Sequence, residues 1–265
     1  MWTVGVIFGT KRRTRDEIEY LTWVFTRALE LSEERGLHAT RIAWVNREGQ
    51  YRLFKRPVPA SEFVRNKAFG EVLSDIDDNA TVLMGHTRFV TRGDASVNEN
   101  NHPFRTGDCL VTHNGTVLNA DYLFKRFGFG RHAEVDSEII GRIADACIVD
   151  GRIDVKALRD RLALCRGQMS AVIVAKTDPG TVIIAKGNWP LELMYHPVFR
   201  AAVYASDAKY LRSVQTDVPG WIVLPTKPMH IFAFRADDLP QFERLPLHFV
   251  AQRTKSAVPK GGVLV

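Results

Sequence analysis

The chain has 265 residues, of which 45% are hydrophobic and 25% charged, so it can bury a sizeable core like an ordinary globular protein. No apolar run approaches the roughly 20 residues of a membrane-spanning helix, and the basic residues 11–15 follow the first apolar stretch, the wrong order for a secretory signal. The net charge of +6 raises nucleic-acid binding, but the basic residues are scattered and lack interleaved aromatic residues. We therefore expect a cytoplasmic protein that binds neither membranes nor nucleic acid.

The first half of the chain predicts strands alternating with helices. Residues 2–8 predict a buried strand, and the sequence from Thr14 to Glu17 is a capping box that opens a helix ending near Gly36. Residues 91–108 are polar and predict a long ordered loop, a feature that is often functional in compact domains. The other predicted elements of this half are strands over 41–45, 51–54 and 81–84 and a helix over 61–76.

Strands dominate the second half. A strand over 110–112 leads into His113-Asn114-Gly115, and Asp178-Pro179-Gly180 predicts a turn. The remaining predicted elements are helices at 121–126 and 137–149 and strands at 171–176, 182–186, 191–195, 202–204, 221–224 and 230–234. Because no repeat or linker interrupts this pattern, we expect one domain over residues 1–265, of α+β class with antiparallel strands.

The three cysteines, Cys109, Cys147 and Cys165, have neither the CxxC spacing of a zinc site nor the even number of a disulfide framework. Each has an apolar residue directly beside it, which is typical of a small buried side chain and not of a nucleophile. We expect reduced thiols, no metal and no cofactor.

Four blocks between Gly85 and Ile140 carry the functional signal: GHTRFVTRG, NNHPF, THNGTVLNADYL and VDSEII. In this order and spacing they resemble the glutamine pocket of the class II glutamine amidotransferases, which are N-terminal-nucleophile (Ntn) hydrolases. Weaker matches at Arg35-Gly36, Arg166-Gly167 and Ala205-Ser206-Asp207 extend the resemblance over nearly the whole chain. The resemblance implies an Ntn-hydrolase-like, four-layer αββα sandwich of antiparallel sheets.

The resemblance also implies roles for single residues. A guanidinium fork suits a carboxylate because two parallel charge-assisted hydrogen bonds fix its position and angle; Arg88 would hold the α-carboxylate of glutamine and Asp136 its α-ammonium. Amide hydrolysis builds negative charge on the amide oxygen, which the side chain of Asn114 and the N–H of Gly115 would stabilise as an oxyanion hole. The other positions that would shape the substrate pocket are Phe89, Thr91 and His102.

Each of these residues has a plainer explanation when taken alone. Arg88 could form a structural ion pair, Asn114-Gly115 could be a type I′ turn, and Asp136 could be a helix N-cap. His102-Pro103 could be loop punctuation. Only their joint order and spacing favours the pocket.

The resemblance fails at the nucleophile. The family uses an N-terminal cysteine whose own α-amine is the base, whereas this chain begins MWTVG. Alignment on Gly5 puts Met1 at the cysteine's position, and alignment on the start puts Trp2 there; neither can attack an amide. A nucleophile would require processing that exposes Thr3, or entry of Cys109 into the pocket.

The sequence therefore predicts a class II amidotransferase-like protein that has lost glutaminase activity. It would bind glutamine or a related amino acid, and Arg92, where the family has a histidine, would favour a more anionic ligand. It would act as a subunit of a larger assembly, with a protein partner or as a homo-oligomer. Two alternatives stay open: an active amidotransferase with a processed N-terminus that donates ammonia to a partner synthase, and a purely structural protein on the same fold.

Overall fold

The computed structural model describes residues 2–89, 97, 100–213 and 218–252. The elements of its first half are β1 (Trp2–Phe8), α1 (Arg15–Leu31), β2 (Ala39–Asn46), β3 (Tyr51–Arg56), α2 (Ala60–Phe63), α3 (Lys67–Ser74), β4 (Ala80–Arg88), β5 (Phe104–Thr106) and β6 (Cys109–Val117). The elements of its second half are α4 (Ala120–Phe127), α5 (Glu138–Asp145), β7 (Ile148–Val149), β8 (Arg152–Ile153), α6 (Val155–Leu162), β9 (Arg166–Ala175), β10 (Asp178–Lys186), β11 (Glu192–His196), β12 (Ala201–Ala205), α7 (Ala208–Ser213), β13 (Ile222–Val223), β14 (His230–Arg235), β15 (Phe242–Pro246) and β16 (Val250–Ala251).

Two large sheets face each other. Sheet A has the strand order β13-β11-β12-β1-β4-β2-β3 and is antiparallel throughout. Sheet B has the order β15-β14-β10-β9-β6-β5, and β16 adds to β9 as a short parallel strand. Strands β7 and β8 form a separate small hairpin.

Side-chain alternation along the strands divides the apolar residues into three layers. Even-numbered residues of β1, such as Val4 and Val6, pack against α1 on the outer face of sheet A. Ile7 instead lies between the sheets, with residues of both. Helices α4, α5 and α6 cover the outer face of sheet B. This helix–sheet–sheet–helix order confirms the four-layer αββα architecture.

Several local predictions are confirmed. Strand β1 covers the residues predicted for it, and the capping box forms, since Glu17 N donates to Thr14 Oγ1 and Thr14 N donates to the Glu17 carboxylate. None of the helices in the described ranges is both long and apolar enough to cross a membrane.

Other predictions need correction. The helix predicted over 61–76 is two short helices, α2 and α3, because Asn66 between them accepts from Ala68 N and caps the second. The predicted turn at Asp178-Pro179-Gly180 is wrong, since the chain reverses at residues 176–177 and β10 begins at Asp178 with a shift in register. The predicted loop over 91–108 contains β5, and its residues 91–96 and 98–99 lie outside the described ranges. The sequence pattern missed α6, α7, β15 and β16.

Close packing in β1 gives a stability test. A Cβ at Gly5 would lie 2.2 Å from Tyr204 Cζ and 2.4 Å from Leu83 O, so we expect Gly5→Ala to lower the free energy of unfolding by about 3 kcal/mol through overpacking. Gly70 lies exposed within α3, and a Cβ added there would meet nothing within 4 Å. Gly70→Ala should therefore raise the free energy of unfolding by roughly 0.5–1 kcal/mol. Urea unfolding of both variants measures the two effects. Equal midpoints for Gly5→Ala and the parent would contradict the packing described here.

Candidate functional site

The gap between the sheets changes from apolar to polar toward the beginning of β1. Thr3 lies on the same face of β1 as Gly5 and Ile7, and it is fully buried. Its Oγ1 lies 3.0 Å from Thr112 Oγ1 on β6 and 3.2 Å from the carbonyl oxygen of Gly85. Thr3 therefore joins the two sheets through hydroxyl and carbonyl groups.

Ser206 links Thr3 to Asn114. The Ser206 hydroxyl accepts from the main-chain N–H of Thr3 at 2.9 Å and from Asn114 Nδ2 at 3.2 Å. Ser206 follows β12, the strand that pairs with β1, while Asn114 lies on β6 of the opposite sheet. The Asn114 side chain, predicted for the oxyanion hole, is thus joined to Thr3 near the start of β1 through a single hydroxyl group.

Gly115 is part of strand β6, not of a turn. The strand continues to Val117 and pairs with β9 through this region, so the type I′ turn considered for Asn114-Gly115 is wrong. Gly115 has φ +142°, and a Cβ there would lie 2.2 Å from the carbonyl oxygen of Gln168. Only glycine fits this close approach of two strands.

Arg88 ends β4 and is buried. Its Nη1 donates to Asn101 Oδ1, and Nη1 of Arg41, on neighbouring strand β2, donates to the main-chain oxygen of Asn101 at 3.0 Å. Two guanidinium groups therefore meet at one asparagine. Arg41 was not among the predicted site residues; an arginine on the same strand face as Ala43 marks the position as unusual but does not reveal its partner.

Asp136 lies on the same side of the molecule as Arg88. Its carboxylate accepts from Val117 N, two residues beyond Gly115. Asn100, next to Asn101, exchanges two hydrogen bonds with Glu134, two residues before Asp136. The segments that carry Arg88 and Asp136 are therefore tied together. Ser137, not Asp136, is the N-cap of α5.

Three buried histidines surround this region. His102 is buried, and its ring lies 4.6 Å from that of His86 and 4.9 Å from that of Phe104. Burial lowers the pKa of His86 and of His102 well below the usual value. Burial also lowers the pKa of His113, against the opposing effect of Asp136. These imidazoles are neutral near pH 7.

Of the remaining predicted pocket residues, only Phe89 is among the described residues. Phe89 is 49% exposed and packs against the His38 ring at 4.7 Å, at the rim and not in the gap. Thr91 and Arg92 lie outside the described residues. The Trp2 side chain points away from Thr3, toward the helices, where its ring meets Tyr210 edge to face at 5.8 Å.

The cysteines do not reach this site. Cys109 is fully buried at the opposite end of β6, five residues and about 17 Å of strand from Asn114. Burial raises the pKa of the Cys147 thiol to about 11 and that of Cys165 to about 12. Within the described ranges, no group of three or more His, Cys, Asp or Glu side chains could hold a metal ion.

No protein-family model matches the chain. The glutamine–fructose-6-phosphate aminotransferase (isomerizing) of Geobacillus kaustophilus is 29% identical over 194 residues, which cover 72% of this chain and 31% of the relative. The aminotransferase of the same name from Halalkalibacterium halodurans is 28% identical over 171 residues, which cover 63% of this chain and 27% of the relative. The chain thus spans about a third of the length of the curated relatives it matches.

Solved structures share the fold. Glutamine phosphoribosylpyrophosphate amidotransferase from B. subtilis has a TM-score of 0.68 at 18% identity, over 93% of this chain and 49% of that one. A structure of the allosteric regulatory enzyme of purine biosynthesis has a TM-score of 0.69 at 18% identity, over 96% of this chain and 50% of that one. The αββα layers and these likenesses show that the chain shares the fold of these amidotransferases, and its sequence is similar to the class II, Ntn-type glutamine amidotransferases.

Proposed function

We propose that this chain is an amidotransferase-like domain without glutaminase activity, which binds glutamine or a related amino acid as a subunit of a larger assembly. The chemistry at the start of β1 carries this proposal. Thr3 is joined to Asn114 through the Ser206 hydroxyl, and the Thr3 nitrogen is an amide that donates to Ser206. An amide nitrogen cannot serve as the base that an Ntn nucleophile needs.

The thiols offer no replacement nucleophile. Catalysis by cysteine requires the thiolate, and burial raises the pKa of all three thiols above the usual value. Cys109 also faces α5 and Asp145, whose carboxylate accepts from its main-chain N–H, at the far end of β6 from Asn114. The described part of the chain therefore supports a pocket without a nucleophile.

Ligand binding does not need the nucleophile. The carboxylate and ammonium groups of an amino acid lie away from its side-chain amide, so the contacts proposed for Arg88 and Asp136 are independent of hydrolysis. The guanidinium of Arg88 at the edge of the polar gap matches a carboxylate in charge and geometry. Asn114 and Gly115 would then hold the side-chain carbonyl of the ligand without activating it.

The decisive experiment measures two quantities on one sample of the intact chain. We expect no ammonia release from glutamine above the uncatalysed rate, and a binding heat with glutamine or glutamate by calorimetry. Ammonia release by protein whose intact mass retains Met1 would refute the loss of activity. No heat and no thermal shift with either amino acid at millimolar concentration would refute ligand binding and favour a purely structural protein.

A second candidate function has one supporting observation. The Thr3–Ser206–Asn114 contacts would hold a new N-terminal amine beside the proposed oxyanion donor if processing removed residues 1 and 2. The chain would then be an active amidotransferase that passes ammonia to a partner synthase. Intact-mass analysis separates the candidates, because this one requires a mature chain that begins at Thr3.

Removal of the proposed carboxylate contact should weaken ligand binding. We expect Arg88→Ala to reduce the affinity for the amino acid by about 2–5 kcal/mol, the usual cost of truncating a buried charge pair. Arg15→Ala is the matched control, since Arg15 is exposed on α1 and pairs with Glu19 there. Calorimetry on both variants is the measurement. Unchanged binding by Arg88→Ala would place the ligand elsewhere.

The strand geometry also predicts where a restored nucleophile must stand. Thr3 and Gly5 face the gap, whereas Trp2 faces the helices. A chain with cysteine directly before Trp2, exposed by removal of an added initiator methionine, should gain measurable ammonia release. Trp2→Cys in the otherwise unchanged chain should gain none. A more active Trp2→Cys variant would contradict the assigned faces of β1.

A further inference from the structure

A groove outside the polar gap lies between the free edges of the two sheets. Its volume is about 680 Å³. Strand β3 forms one wall and β5 the other, while α5 and the segment before it close one side. The residues that matter here are Tyr51, Leu53, Arg105, His132, Glu138 and Arg142.

Strand β3 presents unused main-chain groups to this groove. In the described residues its only strand neighbour is β2. Asn46 N donates to Gln50 O at 2.9 Å, and hydrogen-bonded pairs alternate along an antiparallel ladder. The residues of β3 that form main-chain hydrogen bonds with β2 are therefore the even-numbered ones. The N–H and C=O groups of Tyr51 and Leu53 therefore point outward. The same alternation holds for β5 and β6, where Thr106 pairs with Cys109 and Phe104 pairs with Val111 through main-chain hydrogen bonds. The N–H and C=O groups of Arg105, between them, therefore point away from β6.

The charge in the groove is positive. Arg105 reaches across from β5, where its Nη1 donates to Tyr51 Oη at 2.9 Å and its guanidinium lies 5.7 Å from the Tyr51 ring. Arg142 and the exposed His132 lie on the α5 side. The acidic residue of the groove, Glu138, has a side chain only 3% exposed, bound by Arg142 and by the main-chain N–H groups of His132 and Ala133. The solvent-facing charge is thus cationic.

We propose that this groove docks an extended acidic segment of a partner protein, which adds as a strand to the free edge of β3. Open strand edges are templates for strand addition, and main-chain hydrogen bonds would supply the affinity. Arg105 would select acidic side chains on the incoming strand. A second copy of this chain fits poorly, because its net charge is +6 and it would bring the same arginines to the contact. The proposal rests on the proposed role as a subunit, but not on amino-acid binding.

The test uses labelled synthetic peptides with the intact chain. An alternating Glu-Val heptapeptide should bind by fluorescence anisotropy, whereas the Lys-Val heptapeptide and a Glu-Val peptide interrupted by two prolines should not. Hydrogen exchange should slow at the amides of Tyr51 and Leu53 when the acidic peptide is bound. Arg105→Glu should weaken that binding at least tenfold, while Arg15→Glu on α1 should leave it unchanged.

Specific outcomes overturn the proposal. Equal binding of the proline-interrupted peptide would mean charge attraction without strand addition. No binding of the acidic peptide at millimolar concentration, or exchange protection confined to other strands, would also refute docking at β3. A dimer in sedimentation that Arg105→Glu changes would assign the edge to a second copy instead. The Arg105→Glu variant should bind glutamine like the parent in calorimetry. The experiments therefore distinguish failure of peptide docking from failure of amino-acid binding.

Discussion

The two faces of strand β1 are the constraint from which the rest of the site follows. Successive side chains of a strand point to opposite sides, so β1 must pack against helices with one set of residues and face sheet B with the other. The first set is continuously apolar from Trp2 to Phe8. The second set changes from Ile7, within the apolar layer, to Thr3, within hydrogen bonds to Ser206 and Thr112. A polar gap at one end of the sandwich is the consequence.

Burial determines which side chains around this gap are charged near pH 7. His86, His102 and His113 have lowered pKa values, and burial is the largest cause in each, so they carry no charge near pH 7. Arg41 and Arg88 stay cationic because a guanidinium does not deprotonate in proteins at neutral pH. Among the described residues, two arginines therefore bring positive charge to Asn101.

The sequence predicted the features that depend on local pattern or on a motif. The apolar run of β1 and the capping box at Thr14 are local, and both formed where expected. The Asn114-Gly115 dipeptide was ambiguous, because its usual turn preference is overridden by pairing with β9 along the whole of β6. Arg41 could not be assigned, since its role depends on the long-range pairing of β2 with β4 that brings it beside Arg88. The short helix α6, held by its Asp154 cap, has too few apolar positions to stand out from the sequence.

The same strand geometry makes the stability of the fold independent of the chemistry in the gap. The Thr3 side chain of β1 faces polar groups and contributes little to the apolar core. Trp2 lies on the other face, where its ring is almost fully buried against Tyr210 and the helices. Burial of a large aromatic side chain stabilises a fold by about 2–3 kcal/mol, so the beginning of the strand is held by packing and not by the chemistry of the gap. Thr3 and Ser206 then hold the polar side in register. The stability of the sandwich and any chemistry in the gap are therefore physically independent.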